Sequence, residues 1–395
     1  MKALFLGAGA SYEVGMPLVW EFTNVLRSVV LQQIDSKLFN FEKHPEIKLH
    51  LISLFMDQHL HYEQVVSELE SLYLQSRSQP SKRDAIYGVV IQLIETIQLL
   101  LLGDQEKTIK LLSERIKHYY GLRNFVSQDE PTFVYSLNHD VVFEEICSFL
   151  KIPLSDGFYD KPKKLSNIAP FASISTSELE SGNLNFFQAS ECGFNLIKLH
   201  GSLDIFAIED MDYFIKARGT GADIGSHLEA VLSVEKENRR VCARDQYRTT
   251  NELTVEDENG EIQFLRRSLL SGGHKFELEM SQIAPVAYLD IFKKSILSVH
   301  ELTVIGYSFG DSHINSVLVE WLGGRGKTVI IFDPYLQEVP ECIKEFSHNV
   351  TIHNGGFSDF CLQHDSSRES FSSTSMRKAL DVLRTGLKER REQKT

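Results

Sequence analysis

The sequence has few cysteines. Among 395 residues there are five, Cys147, Cys192, Cys242, Cys342 and Cys361. The number is odd and no two stand in C-x-x-C spacing, so the chain encodes neither a disulfide framework nor a paired-cysteine zinc site. Free thiols of this kind fit a reducing, cytoplasmic setting. Positive charge is also scarce. Lys and Arg number 41 against 54 Asp and Glu, a net charge of −13, which opposes a sequence-independent grip on nucleic acid. The basic pairs Arg239–Arg240 and Arg266–Arg267 are read as solvated surface. Long apolar runs are missing as well. The opening "MKALFLGAGAS" is too short for a signal h-region. The most apolar helical window, "VVIQLIETIQLLLL" (89–102), carries Gln92, Glu95 and Gln98 and is too short and too polar to span a bilayer. No membrane association is expected. Metal-ligand spacing such as H-x-x-x-H is absent, so no metal is expected either. There is no internal repeat.

The chain does contain a series of short apolar segments, each ending in glycine or polar residues. They are "KALFLGAGAS" (2–11), "TFVYSLNHD" (132–140), "FNLIKLHGSLD" (194–204), "ELTVIGYSFGD" (301–311), "KTVIIFDP" (327–334) and "NVTIHNGG" (349–356). Apolar runs without alternation suit strands covered on both faces. With helical patterns between several of them, the expected fold class is α/β, a doubly wound, mostly parallel (Rossmann-like) sheet. A large helical insertion is expected over 18–125. A smaller insertion over 205–285 contains a hairpin around Asn259–Gly260. The sheet domain itself spans 1–17 and 126–364, and a basic tail helix follows over 365–395.

In such sheets ligands bind beyond the carboxyl ends of the strands, where all these polar clusters fall. Gly7 and Gly9 would let a backbone approach a pyrophosphate closely. The full G-x-G-x-x-G is absent, because Tyr12 stands at its third glycine, and no strand ends in an acid about 20 residues on, which disfavours an ordinary hydride-transfer domain. Each cluster also has a plainer explanation. Gly7 to Gly9 can be a tight turn, Asp311 an N-cap, Asp333–Pro334 a turn, and His200 a hydrogen-bonded strand-end residue.

Taken together and in order, the motifs "GAGAS", "SLNHD", "KLHGS" and "GYSFGDSHIN" resemble the sirtuin-like family of NAD-consuming enzymes. They anchor about half of the chain. The resemblance implies that Gly7, Ala8, Gly9 and Ser11 hold the NAD pyrophosphate. It implies that Asn138 places the nicotinamide ribose or an attacking water, that Asp140 supports it, and that His200 acts as base. Pro17, Gly306, Ser308, Asp311 and Asn315 would line the cofactor, and Asp333 would lie near the adenosine ribose. The protein-deacylating sirtuins carry four zinc cysteines and a Gly-Ile-Pro-Asp-Phe-Arg segment. Here the cysteine pairs are missing, and "GMPLVWEF" keeps Gly15 and Pro17 but loses Asp-Phe-Arg. These departures are similar to the zinc-free sirtuin-like NADases of bacterial anti-phage defence, which hydrolyse NAD to nicotinamide and ADP-ribose on infection. His139 stands where that group usually has Tyr. The expectation is therefore an NADase effector with NAD as substrate and no metal. It would form a homo-oligomer or be controlled by a separate partner, such as a HerA-like ATPase or another operon neighbour. The alternatives are a catalytically silent NAD or ADP-ribose sensor module and a zinc-free deacylase or ADP-ribosyltransferase.

Overall fold

A computed structural model describes residues 1–39, 41–160, 165, 170–246, 249–269 and 287–365, together with 375, 378, 379 and 382. The tail helix expected over 365–395 falls, apart from those positions, outside the described residues.

The strands in chain order are β1 (Lys2–Leu6), β2 (Thr132–Ser136), β3 (Leu154–Ser155), β4 (Phe171–Ser175), β5 (Phe194–Lys198), β6 (Gly201–Ile208), β7 (Tyr213–Ala217), β8 (Glu252–Glu256), β9 (Ile262–Leu269), β10 (Glu301–Ile305), β11 (Thr328–Phe332) and β12 (Val350–His353). Seven of them form a sheet in the order β12-β11-β10-β1-β2-β5-β3, and every neighbouring pair is parallel. The chain builds outward from β1 through β2 and β5. It then returns to the other side of β1 to build β10, β11 and β12. The reversal between β1 and β10 is the topological switch point, the place where open α/β sheets bind ligands.

Both faces of this sheet are buried, which explains the unbroken apolar runs. Leu4 and Leu6 point to one core; Ala3 and Phe5, their neighbours in sequence, point to the other. Alternate residues of a strand face opposite sides, so a doubly covered strand has no polar face to show. The first core runs without a break from Leu4, Leu6 and Val134 into α2 (Val19–Asp35), α3 (Pro45–Met56), α4 (Tyr62–Gln75) and α5 (Pro80–Arg115). These follow the short α1 (Gly9–Tyr12). Helix α5 is 36 residues long, far beyond the 89–102 window. With the turn after it, Pro80–Tyr119 is long and apolar enough to cross a membrane, but 61% of its apolar stretch is buried inside the protein. A core helix passes the same length test as a membrane span, and this one packs as core.

The chain continues through α6 (Leu122–Phe125), α7 (Val142–Leu150) and α8 (Thr176–Ser181) to α9 (Ser226–Asp245), α10 (Ala287–Ser295), α11 (Ser312–Leu322) and α12 (Phe357–Gln363). The hairpin expected around Asn259–Gly260 is formed by β8 and β9, with Glu256 opposite Ile262 and Gly260 at φ +80°. It belongs to a second, five-stranded antiparallel sheet, β4-β7-β6-β9-β8. "FNLIKLHGSLD" is thus two strands in two sheets. The chain leaves the parallel sheet at Lys198 and turns at Leu199–His200. It enters the antiparallel sheet at Gly201, whose φ of +80° would strain any other residue there.

Candidate active site

At the switch point the ends of β1 and β10 touch backbone to backbone. Gly7 N–H donates to the Ile305 carbonyl at 3.0 Å and Gly9 N–H to the Gly306 carbonyl at 2.9 Å. A Cβ on Gly9 would lie 2.6 Å from the Gly306 Cα, and one on Gly306 would lie 2.4 Å from the Gly9 Cα. The glycines at 7, 9 and 306 are therefore required by the protein's own packing. Their lack of side chains is not by itself a sign of phosphate. Gly306 also takes φ +62°, and Phe309, a non-glycine residue, follows at φ +58°. Asn315 holds that strained loop, its Nδ2 donating to the Phe309 carbonyl at 2.7 Å while its Oδ1 accepts from the Tyr307 hydroxyl at 2.9 Å. Strain of this kind persists where surrounding structure over-determines it, and it clusters at functional sites.

The first turn after β1 brings Ser11 against the end of β2. The Asn138 Nδ2 donates to the Ser11 hydroxyl at 3.1 Å, and that hydroxyl donates to Asp140 Oδ1 at 3.0 Å. All three side chains are buried. Asp140 Oδ1 also accepts the Val142 N–H at 3.0 Å at the start of α7. Burial raises the Asp140 pKa; the Lys198 ammonium, the Val142 N–H and the Ser11 hydroxyl offset part of that rise. An amide held by a neutral hydroxyl at a strand end can orient a water or a ribose hydroxyl without bringing a charge.

His200, at the corner between the two sheets, completes the constellation. Its ring centroid lies 6.2 Å from that of His139. Its Nε2 lies 3.1 Å from Asp311 Oδ2, an ion-pair contact rather than an aligned hydrogen bond. Both side chains are buried. The Asp311 Oδ1 caps α11, accepting the N–H groups of His313 at 3.0 Å and Ile314 at 3.3 Å. Asp311 thus does serve as the helix cap, and its second oxygen faces the histidine.

The four motifs are linked through these contacts. Gly7 and Gly9 meet Gly306, Ser11 meets Asn138 and Asp140, His139 meets His200, and His200 meets Asp311. The remaining candidates stand apart from this chain of contacts. Ser308 is exposed on the loop after β10. Asp333 Oδ1 accepts Tyr335 N–H at 2.7 Å and Leu336 N–H at 3.0 Å, closing the turn after β11. Pro17 is half-buried between α1 and α2, and Ala8 precedes α1 as an exposed residue. Among the described residues no cluster of three or more His, Cys, Asp or Glu could hold a metal ion.

Beneath the site lies a buried ion cluster that sequence reasoning missed. Lys216 Nζ is 3.3 Å from Glu144, 3.1 Å from Asp156 and 3.3 Å from Asp204. Lys198 Nζ is 3.4 Å from Glu144 and donates to the Asp140 carbonyl. Arg218 grips Asp156 with two nitrogens. Three cations face three carboxylates, so the cluster is neutral overall. Burial raises the pKa of Glu144, but Lys198 and Lys216 outweigh it and hold the carboxyl below its ordinary range. Burial alone would lower Lys216, yet Asp156, Asp204 and Glu144 drive it well above the usual lysine value. The only hint in the sequence is Lys198, a charge inside the apolar segment "FNLIKLH". Lys216 alternates with apolar residues in "YFIKAR" and looks like an ordinary exposed strand residue.

A cavity of about 310 Å³ lies on the antiparallel sheet, lined by Met211, Glu252, Ile262, Phe264 and Arg266 among others. It contains none of the motif residues. The chemistry-bearing groups converge at the strand ends instead, and the candidate site is placed there.

No family model and no curated protein matches the sequence. Among solved structures, one described as the structural basis of sirtuin substrate affinity is similar at 11% identity and a TM-score of 0.38, covering 92% of this chain and 92% of that one. Another is Sir2 in complex with the inhibitor EX-527, 2'-O-acetyl-ADP-ribose and a deacetylated p53 peptide, at 12% identity and a TM-score of 0.34, covering 92% and 91%. Similarity at this level carries no functional weight, so the reading below rests on the residues of this chain.

Proposed function

We propose that the protein is an NAD glycohydrolase, splitting NAD and water into nicotinamide, ADP-ribose and a proton, and that it serves as an anti-phage effector. The observation that carries the reading is the convergence of Ser11, Asn138, Asp140, His200 and Asp311 at one switch point. These residues come from four motifs spread over some three hundred positions, and they are the ones the sirtuin-like resemblance marks. In this reading NAD lies across the β1–β10 crevice. Asn138 orients the water or the ribose hydroxyl, and Ser11 and Asp140 keep its amide in place. The nicotinamide–ribose bond breaks with charge developing on the ribose, and nicotinamide leaves without an acid. His200 takes the proton of the attacking water; positioned general bases contribute about 10²–10⁴-fold.

The test is nicotinamide release from NAD by the purified chain, alone and with candidate operon neighbours such as a HerA-like ATPase. Release by wild type that disappears in Asn138→Ala is the expected outcome. Tight NAD or ADP-ribose binding without turnover would favour a sensor module. Release that depends on an acylated peptide or a protein acceptor would favour a transferase or deacylase. In cells, NAD should fall after phage challenge in the wild-type strain and hold steady in the Asn138→Ala strain.

A further inference from the structure

We propose that Gln105, in the helical insertion, is a positioning residue for the turn between β2 and α7, which carries the Asn138 amide; this deepens the NAD glycohydrolase reading and rests on it for its kinetic part. Gln105 lies on α5 and is fully buried, in a stretch whose other buried residues include Leu101, Leu102 and Leu112. A buried amide costs stability unless both its ends find partners, and both do. Oε1 accepts the Val141 N–H at 3.1 Å, and Nε2 donates to the Thr108 hydroxyl at 3.2 Å. Chemistry fixes which end is oxygen. A backbone N–H can only donate, and the Thr108 hydroxyl already donates its proton to the Gln105 carbonyl at 2.7 Å. Thr108 thus holds the amide with its oxygen toward the turn.

The contact matters because of where Val141 stands. It is the residue before α7, and its N–H is among those that a helix start leaves without a partner inside the helix. The next N–H, of Val142, is capped by Asp140 Oδ1 at 3.0 Å, and the same oxygen accepts the Ser11 hydroxyl that holds Asn138. Other backbone groups of the turn are held from the two sheets. Asn138 N–H donates to the Ser136 hydroxyl at 3.1 Å, the His139 carbonyl accepts the Leu203 N–H at 2.9 Å, and the Asp140 carbonyl accepts Lys198 Nζ. Gln105 adds a hold from the helical insertion. Val141 is fully buried, so without the glutamine oxygen its N–H has no water to turn to. The turn must then move to find an acceptor, and any such shift carries Asp140 and, through Ser11, Asn138.

The main variant is Gln105→Leu, close in size and without an acceptor. Thr108→Val is the milder second variant, since it keeps the glutamine and removes only the oxygen that orients it. Val90→Ala, elsewhere in the buried face of α5, controls for a loosened helix. The first measurement is amide hydrogen exchange by NMR, which needs no turnover. In Gln105→Leu the Val141 N–H should exchange about tenfold faster or more, in Thr108→Val by a smaller factor, with β2 unchanged in both. The second measurement is the kinetics of nicotinamide release. A positioning role predicts that kcat in Gln105→Leu falls by about tenfold to a hundredfold with little change in KM for NAD, and that Val90→Ala keeps its kcat. Unchanged exchange at Val141 in both variants would overturn the proposal. So would an unchanged kcat in Gln105→Leu when wild type is active, or an equal loss of kcat in Val90→Ala. If the exchange changes appear but wild type releases no nicotinamide under any condition, the hold of Gln105 on the turn stands and the glycohydrolase reading fails.

Discussion

Replacing Gly306 with alanine should be among the most damaging single-methyl changes in this protein, and the reason can be worked out from the backbone. At φ +62° an alanine must adopt the left-handed conformation, which costs about 1–2 kcal/mol. Its Cβ would also lie 2.4 Å from the Gly9 Cα and 2.5 Å from the Ala10 nitrogen. Those are backbone atoms that cannot swing aside, so β1 and β10 must separate; forced overpacking costs about 1–3 kcal/mol more. The expected loss is about 2–5 kcal/mol. Two other glycines isolate the parts of this sum. Gly260 takes φ +80° in the β8–β9 turn with nothing within 4 Å of its Cβ position, so Gly260→Ala should lose only the conformational part, about 1–2 kcal/mol. Gly88 lies inside α5, also with open space around it, and Gly88→Ala should gain about 0.5–1 kcal/mol. Urea titrations followed by far-UV circular dichroism give the three midpoints. The predicted order is Gly88→Ala above wild type, then Gly260→Ala, then Gly306→Ala. A Gly306→Ala midpoint within error of Gly260→Ala would refute the close approach of the two strand ends.

Three further outcomes follow from the buried charges. Lys216→Met should cost about 3–5 kcal/mol, because it leaves Glu144, Asp156 and Asp204 buried without their shared cation; thermal unfolding checks this. The same carboxylates make wild type acid-sensitive: Glu144 and Asp156 have depressed folded-state pKa values, so the stability they add is present above the ordinary carboxylate range and is lost as pH falls through their folded values. Asp140 has the opposite sign. Its folded pKa is raised, so the ionised form costs stability, and wild type weakens as pH rises from the ordinary aspartate range through the raised value. Asp140→Asn keeps Oδ1 as acceptor for Val142 and Ser11 and removes the charge. Its melting temperature should exceed that of wild type at neutral pH, with the gap closing as pH falls, and a gap that does not change with pH would refute the burial argument.

The sequence by itself determined the parallel sheet, the strand ends at Gly7, Asn138, His200 and Gly306, and the β8–β9 hairpin. These are local matters. A strand covered on both faces must be apolar throughout, and a tight turn must carry glycine or asparagine, so both leave a pattern in neighbouring residues. The turn of Asp333 and the cap of Asp311 were legible for the same reason. Tertiary structure alone decided what those local signals could not carry. It placed β10 beside β1, which showed that Gly7, Gly9 and Gly306 are glycine because two backbones meet. It split "FNLIKLHGSLD" between two sheets and put His200 at the corner. It joined Lys198, Glu144, Asp156, Asp204, Lys216 and Arg218 into one neutral cluster, and it brought the second oxygen of Asp311 within 3.1 Å of His200. Each of these pairings spans tens to hundreds of residues. A single chain read in order has no periodicity that encodes them, because they are set by which faces the packed elements present to one another.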